Sequence, residues 1–200
     1  MRARTSLTVG AVALSTAIAL VAALIIANAL AVAISAQLRP ETYTAHASVK
    51  TAGGASLSAP VTIDVTGWTS DADRQRLTAV LKAGDRSALQ KQLAEMKTIG
   101  RVTLGKTPFD AKYVYAMTSS EGRIITVVTA TPMFFLGAGA PGAKPRGGHD
   151  FGVVTIEVND AGSGKGTLTP AASLKMSDSD AIVVEDYSVE LVTLPDVRKQ

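Results

Sequence analysis

His149 and Asp150 stand side by side, and a histidine next to a carboxylate is a familiar unit for proton transfer or metal binding. The chain holds 2 histidines and no cysteine. A zinc centre needs three or four ligands, and His46 is the only other imidazole, so no metal site is expected. Nucleophilic catalysis would need an activated thiol or hydroxyl. There is no thiol, and no G-x-S-x-G elbow occurs. Neighbouring residues at a strand start point to opposite faces. The plainer expectation for His149 is therefore a turn histidine bonded to the loop backbone, and no catalytic residue is assigned. The alternative readings are a small hydrolase or metal-dependent enzyme using His149 and Asp150, or a structural envelope protein anchored by its N-terminal helix.

Two glycine-rich stretches resemble phosphate loops. Gly137, Gly139 and Gly142 fit G-x-G-x-x-G. A dinucleotide fingerprint needs a strand before it and a helix after it, because the pyrophosphate sits on the helix N-terminus. Pro145, Gly147 and Gly148 occupy the positions such a helix would need. The second stretch, G-S-G-K-G-T at 162–167, has Asn159 in place of the first P-loop glycine. Gly166 follows the lysine where a Mg²⁺-binding Ser or Thr is required. It reads as a hairpin turn, and no nucleotide or other cofactor is expected.

Between 131 and 152 the chain concentrates residues suited to contact rather than catalysis. Met133, Phe134, Phe135 and Leu136 directly precede the glycine- and proline-rich run, and Lys144 and Arg146 follow within it. Large apolar side chains flanked by cations suit a protein or peptide partner, an apolar ligand, or an acidic lipid. Phe134, Phe135, Lys144, Arg146 and His149 are the candidate contact residues. A long connection without its own secondary structure is uncommon unless it serves a function or is disordered. Tyr113, Tyr115 and Met117 share one strand face and read as core. Of the adjacent acids Glu185 and Asp186, alternation exposes one and leaves the other to pair with Arg or Lys.

The N-terminus decides where this domain would work. Arg2 and Arg4 precede an apolar run that carries no charge until Arg39. A basic start followed by such a run is an export signal or a membrane anchor. Ala29-Leu30-Ala31, Ala31-Val32-Ala33 and Ala33-Ile34-Ser35 offer small residues for cleavage. The run also exceeds the ~20 residues a helix needs to cross a bilayer. Residues 1–36 are thus read as signal peptide or anchor, and 37–200 as a single exported domain, periplasmic, extracellular or anchored facing outward. Membrane contact is expected only through the N-terminal segment, if it is uncleaved. The formal charge of +3 loses Arg2 and Arg4 with that segment and falls to about +1. Basic and acidic residues are interspersed, which argues against nucleic acid as a partner, since that would need a basic stripe. Without cysteine, stability must come from burial alone.

Within 37–200 the periodicities predict an α+β domain. Tyr43, Ala45, Ala47 and Val49 alternate with polar residues, and Leu57 to Val65 alternate again after Gly53-Gly54, which reads as a β-hairpin. Pro60 suggests an edge or a strand start. Ser70 and Asp73 open a helix that Gly84 closes, and Asp85 caps a second. Strands follow near Arg101–Leu104, Lys112–Thr118, Arg123–Ala130, Phe151–Val158, Gly166–Met176 and Ala181–Leu194. The expected architecture is a bent antiparallel sheet of about eight strands, a sandwich or open barrel, with a helical hairpin inserted after the second strand.

The stretch ITVVTATPMFFLGAGAPGAKPRGGHDFGVVTIEVN, with AIVVEDY further on, resembles a family of small exported bacterial proteins that carry no assigned function. The resemblance would cover most of the exported domain. It implies export and brings no catalytic residues.

If the apolar run is a cleaved signal, residues up to about Ala36 are removed during export. N-terminal sequencing of protein recovered from the periplasm or medium checks this. A chain that begins at Met1 in the membrane fraction overturns it.

Overall fold

A computed structural model of the 200-residue chain describes residues 39–50, 56–133, 147–177, 182–187 and 191–200. Strands β1 (Glu41–Lys50) and β2 (Ser56–Val65) are followed by helices α1 (Asp71–Lys82) and α2 (Arg86–Glu95). Seven more strands follow among the described residues: β3 (Gly100–Leu104), β4 (Thr107–Ser119), β5 (Gly122–Thr129), β6 (Phe151–Val158), β7 (Ser163–Met176), β8 (Ile182–Tyr187) and β9 (Val192–Lys199). Every pairing is antiparallel.

The expectation of an α+β domain built on an open or sandwiched sheet is overturned. Strands predominate among the described residues, and eight of them close into an antiparallel barrel with only two short helices beside it. Going round the barrel, β6, β5, β4, β3, β2, β1, β9 and β7 are neighbours, and β6 pairs with β7 to complete the ring. The closing strand is β9, bonded to β1 on one side and β7 on the other. The run Ala181–Leu194, expected as one strand, is two. β8 pairs with the second half of β7, whereas β9 pairs with the first half and continues past Pro195 to Lys199. The expected strand stops at Leu194, just before Pro195, which cannot donate to a ladder. Here the ladder shifts register instead, between Thr44 and Ser48 of β1. The His46 N–H finds the Asp196 carboxylate at 2.9 Å in place of a backbone carbonyl. Pro60 is likewise not at an edge. It sits within β2 opposite His46, at the level where β3 ends, and its carbonyl accepts from Gly105 at 2.8 Å.

The alternation of each strand sends one set of side chains inward. Tyr43, Val61, Ile63, Val102, Val114, Ile125, Val127, Ile156, Leu168 and Leu194 belong to one buried cluster that draws on all eight strands. Such a cluster is the filled interior of a small barrel. On β7 the inward positions beside Val158 and Ile156 are Gly164 and Gly166. On β9 the residues opposite them are Val197 and Leu194. Large neighbours on both sides occupy the space, and glycine lets the strand bend through the closure.

A second core lies outside the barrel. Ser70 caps α1 by accepting from Asp73 N–H at 3.1 Å, and Asp85 caps α2 by accepting from Ala88 N–H at 2.9 Å. Between them Gly84 turns the chain with φ +73°. Leu77, Leu89 and Leu93 pack on Tyr113, Val128, Phe151, Val153, Leu174 and Ile182. The run Ile124–Ala130 is thereby buried on both faces at Val127 and Val128, one in the barrel and one under the helices. Among the described residues no helix is long and apolar enough to cross a membrane.

A Cβ on Gly164 would collide with the Glu157 carbonyl oxygen on the neighbouring strand. Gly164→Ala is expected to lower unfolding free energy by about 3 kcal/mol, because backbone has to shift. Gly84→Ala, which meets no atom within 4 Å, is strained only by its positive φ and costs less. Urea unfolding of the two variants side by side checks the order.

Candidate functional site

The 130–150 segment joins two hydrogen-bonded neighbours, β5 and β6, whose last pair is Thr129↔Gly152. Its ends are fastened. Gly152 N–H donates to the Thr131 carbonyl at 3.2 Å, and Met133 N–H donates to the Pro170 carbonyl at 2.8 Å. The Thr129 hydroxyl lies 3.1 Å from Gly152 N and 2.6 Å from the Thr131 carbonyl oxygen. Met133 is fully buried. Phe134, Phe135, Lys144, Arg146 and the G-x-G-x-x-G stretch lie outside the described residues. The chain is described again from Gly147. The G-S-G-K-G stretch forms the β6–β7 turn and the start of β7, with Gly162 at φ +76°.

His149 is buried, with its Nε2 3.2 Å from an oxygen of Asp186, so the carboxylate bonded to it comes from β8 and not from Asp150. Asp150, the other candidate for proton transfer, is half-buried at the start of β6. The register of β7 and β8 explains how Asp186 arrives. Ser173 pairs with Asp186 and Leu174 with Val184, which leaves Glu185 as the extra residue of a bulge. A bulge breaks alternation, so both acids find partners. Glu185 accepts from Arg86 of α2 and from the Ser173 hydroxyl, each at 3.2 Å. Gly148, at φ +86°, lies close enough to Arg86 that a Cβ there would strike the guanidinium. The stem therefore bonds to β8 through His149–Asp186 and lies close to Arg86 of α2, which itself pairs with Glu185 of β8. Ser173 is buried, but its one hydroxyl proton goes to Glu185. No group of three or more His, Cys, Asp or Glu able to hold a metal gathers among the described residues. His46, the second histidine, is exposed and pairs with Asp196 at 2.9 Å.

Comparison of the chain with protein-family models, curated proteins and solved structures finds no match. The site is therefore argued from its own chemistry.

Sequence reasoning missed one charged cluster, at a mouth of the barrel. Glu41 opens β1 on the inward face, two residues before Tyr43, and its side chain is only 6% exposed. It receives the Tyr43 hydroxyl at 2.5 Å, Lys199 Nζ at 2.7 Å, and Arg123 Nη2 at 2.9 and 3.1 Å. Arg123 also donates to the Tyr43 oxygen at 3.0 Å. The carboxylate thus ties β1 to β5 and β9. Burial alone would raise the Glu41 carboxyl. The hydrogen bonds from Lys199, Tyr43 and Arg123, with the charge of Arg123, outweigh that and hold it below the ordinary 4.5. Burial and the adjacent carboxylate push the Tyr43 phenol up, so it stays a neutral donor. An acid at the first inward position of an alternating strand was the available signal. Its partners lie 82 and 158 residues away, and no local pattern names them.

The layer between helices and barrel contains a second set of polar groups. Thr78 Oγ1, Gln92 Oε1 and the Tyr113 hydroxyl are buried without a hydrogen-bond partner. Burial first, then the neighbouring Tyr115, raises the Tyr113 phenol, with Arg74 opposing. Arg74 lies over the Tyr115 ring, 5.1 Å from its centre.

Because the folded carboxyl of Glu41 is depressed, its contribution is complete above the unfolded value near 4.5 and is lost as pH falls through the folded value. Unfolding free energy measured from pH 7 down to 3 should carry this loss. Glu41→Gln should remove that part of the slope and cost about 1–3 kcal/mol at pH 7. An unchanged pH profile in the variant would show that Glu41 is not the group responsible.

Proposed function

We propose that the chain is a non-catalytic binding module that works outside the cytoplasm and makes contact through the β5–β6 connection, residues 134–150. The observation that carries this reading is the fastening of both ends of the connection. Met133 is locked to Pro170, and His149 is locked to Asp186, while Gly148 rests on Arg86. A long connection presented from a rigid stem is how scaffolds display binding loops. The barrel interior is packed with side chains, so contacts fall to the outer surface. The export expected from the N-terminal run, and the resemblance to small exported bacterial proteins, support the location.

The partner that the sequence suits best is an acidic membrane surface. Phe134 and Phe135 supply apolar insertion, and Lys144 and Arg146 supply attraction to anionic headgroups. The alternative, a hydrolase using His149 and Asp150, draws less support. His149 bonds to Asp186, and the nearby Ser173 proton is committed to Glu185.

Vesicles of phosphatidylcholine, with and without phosphatidylglycerol, test the reading by co-sedimentation with the full chain. Binding through the N-terminal run is common to both compositions and both proteins, so the readout is the gain on adding the anionic lipid. Changing Lys144 and Arg146 together to Ala should cut that gain about thirtyfold, at ~1 kcal/mol per cation. The melting temperature should stay nearly constant, since exposed charges add little stability. An unchanged gain overturns the lipid reading and leaves an acidic peptide as the partner to try. A double variant that unfolds makes the connection part of the core and overturns the contact site itself.

A further inference from the structure

A cleft of about 470 Å³ opens between the N-terminal end of α1 and the C-terminal end of α2. Its apolar lining comes from Trp68, Leu77, Met96 and Ile99, and Gln92 lies among them. This volume falls in the range of small-molecule sites. We propose that it binds a small uncharged aromatic molecule carrying an N–H or O–H donor.

Both walls are held in place without a ligand. Trp68 sits between Gly67, whose N–H donates to the Ile99 carbonyl at 2.9 Å, and Thr69, whose N–H donates to the Val114 carbonyl at 2.9 Å. The Thr69 hydroxyl in turn accepts from Val114 N–H at 2.9 Å. On the other side, Lys112 Nζ donates to the Met96 carbonyl at 3.0 Å and to the Thr98 hydroxyl at 3.1 Å. Preformed walls reduce the ordering cost of binding.

The polar features select the ligand. Gln92 occupies the inward stripe of α2 with Leu89, Leu93 and Met96, where an apolar residue would cost nothing. Its amide oxygen is buried without a partner. An acceptor left in that state is destabilising unless water or a ligand meets it. Binding requires this side chain to rotate, so that the acceptor faces the cleft and meets a ligand N–H or O–H. Charge does not select an ion. The rim carries Asp73, Arg76, Glu95 and Lys97, which cancel in sign. Asp73 is already engaged by the Ser70 hydroxyl at 2.7 Å and by Arg76. An indole wall with thioether and aliphatic neighbours favours a ring.

N-Phenyl-1-naphthylamine is the probe, being uncharged, aromatic and supplied with one N–H. Trp68 is the only tryptophan in the chain, so energy transfer from tryptophan to the bound probe reports binding within transfer range of this cleft, and substitution of Gln92 assigns it to the cleft. Saturable transfer with the full-length chain is expected. The N-methylated analogue keeps the rings and loses the donor, and it should bind about five- to tenfold more weakly, the worth of one hydrogen bond to an unmet acceptor. Gln92→Leu should abolish that difference between the two probes and leave the fold intact. Absence of saturable transfer overturns the proposal. Equal affinity of the two probes for the unaltered chain also overturns it, and assigns the Gln92 oxygen to a buried water. If the leucine variant fails to fold, Gln92→Met applies the same criterion.

Discussion

Closure of the sheet by β9 is the constraint on which the rest of this structure depends. β9 bonds to β1 and β7 at once, and with it in place the barrel has no unpaired edge in its ring. The inward side chains of eight strands then share one interior, which buries Tyr43, Ile63, Ile156 and Leu194 completely or nearly so. Without β9 the same strands would form an open sheet with two unpaired edges and a half-exposed apolar face. Glycine on the inward side of β7 and the register shift at Pro195 are both consequences of bending strands round a small circumference. The Glu41 clasp serves the same closure by linking the first strand to the last and to β5 at one mouth of the barrel.

Filling the barrel with side chains displaces recognition to its outside. The wall formed by β4 to β8 is covered by the α1–α2 hairpin, and that contact differs from the barrel interior in kind. The interior cluster is apolar to its limit at Glu41. The outer layer mixes leucines with Thr78, Gln92 and Tyr113, whose polar atoms find no partner in the protein. Such groups are costly where nothing meets them. The same layer receives the stem of the β5–β6 connection, because Arg86 at the start of α2 touches Gly148 and pairs with Glu185. The helical hairpin is therefore a bracket between the barrel wall, the connection stem and β8.

Local chemistry was legible in the sequence wherever one stretch decided it alone. Alternation fixes β1 and β2 because one face of each is buried and the other is wet. Ser70 and Asp85 announce helix starts because their side-chain oxygens satisfy amides three residues on, and Gly84 announces the turn because it accepts a positive φ. The stretch at 162–167 was legible as a turn on spacing, since Gly166 stands where a phosphate loop requires a hydroxyl.

What the tertiary structure decided were matters between stretches distant in sequence. Proline and aspartate at 195–196 look like a strand end to any local reading, and only the neighbour β1 turns them into a register shift. Hence closure, and with it the step from an open α+β sheet to a barrel, was not available from periodicity. His149 met Asp186 and not Asp150, because a bulge at Glu185 re-aims a carboxylate from 37 residues away. The Glu41 cluster joins residues at 41, 43, 123 and 199 for the same reason. Hydrophobic period is a property of a single strand, whereas ion pairing and ring closure are properties of which strands become neighbours.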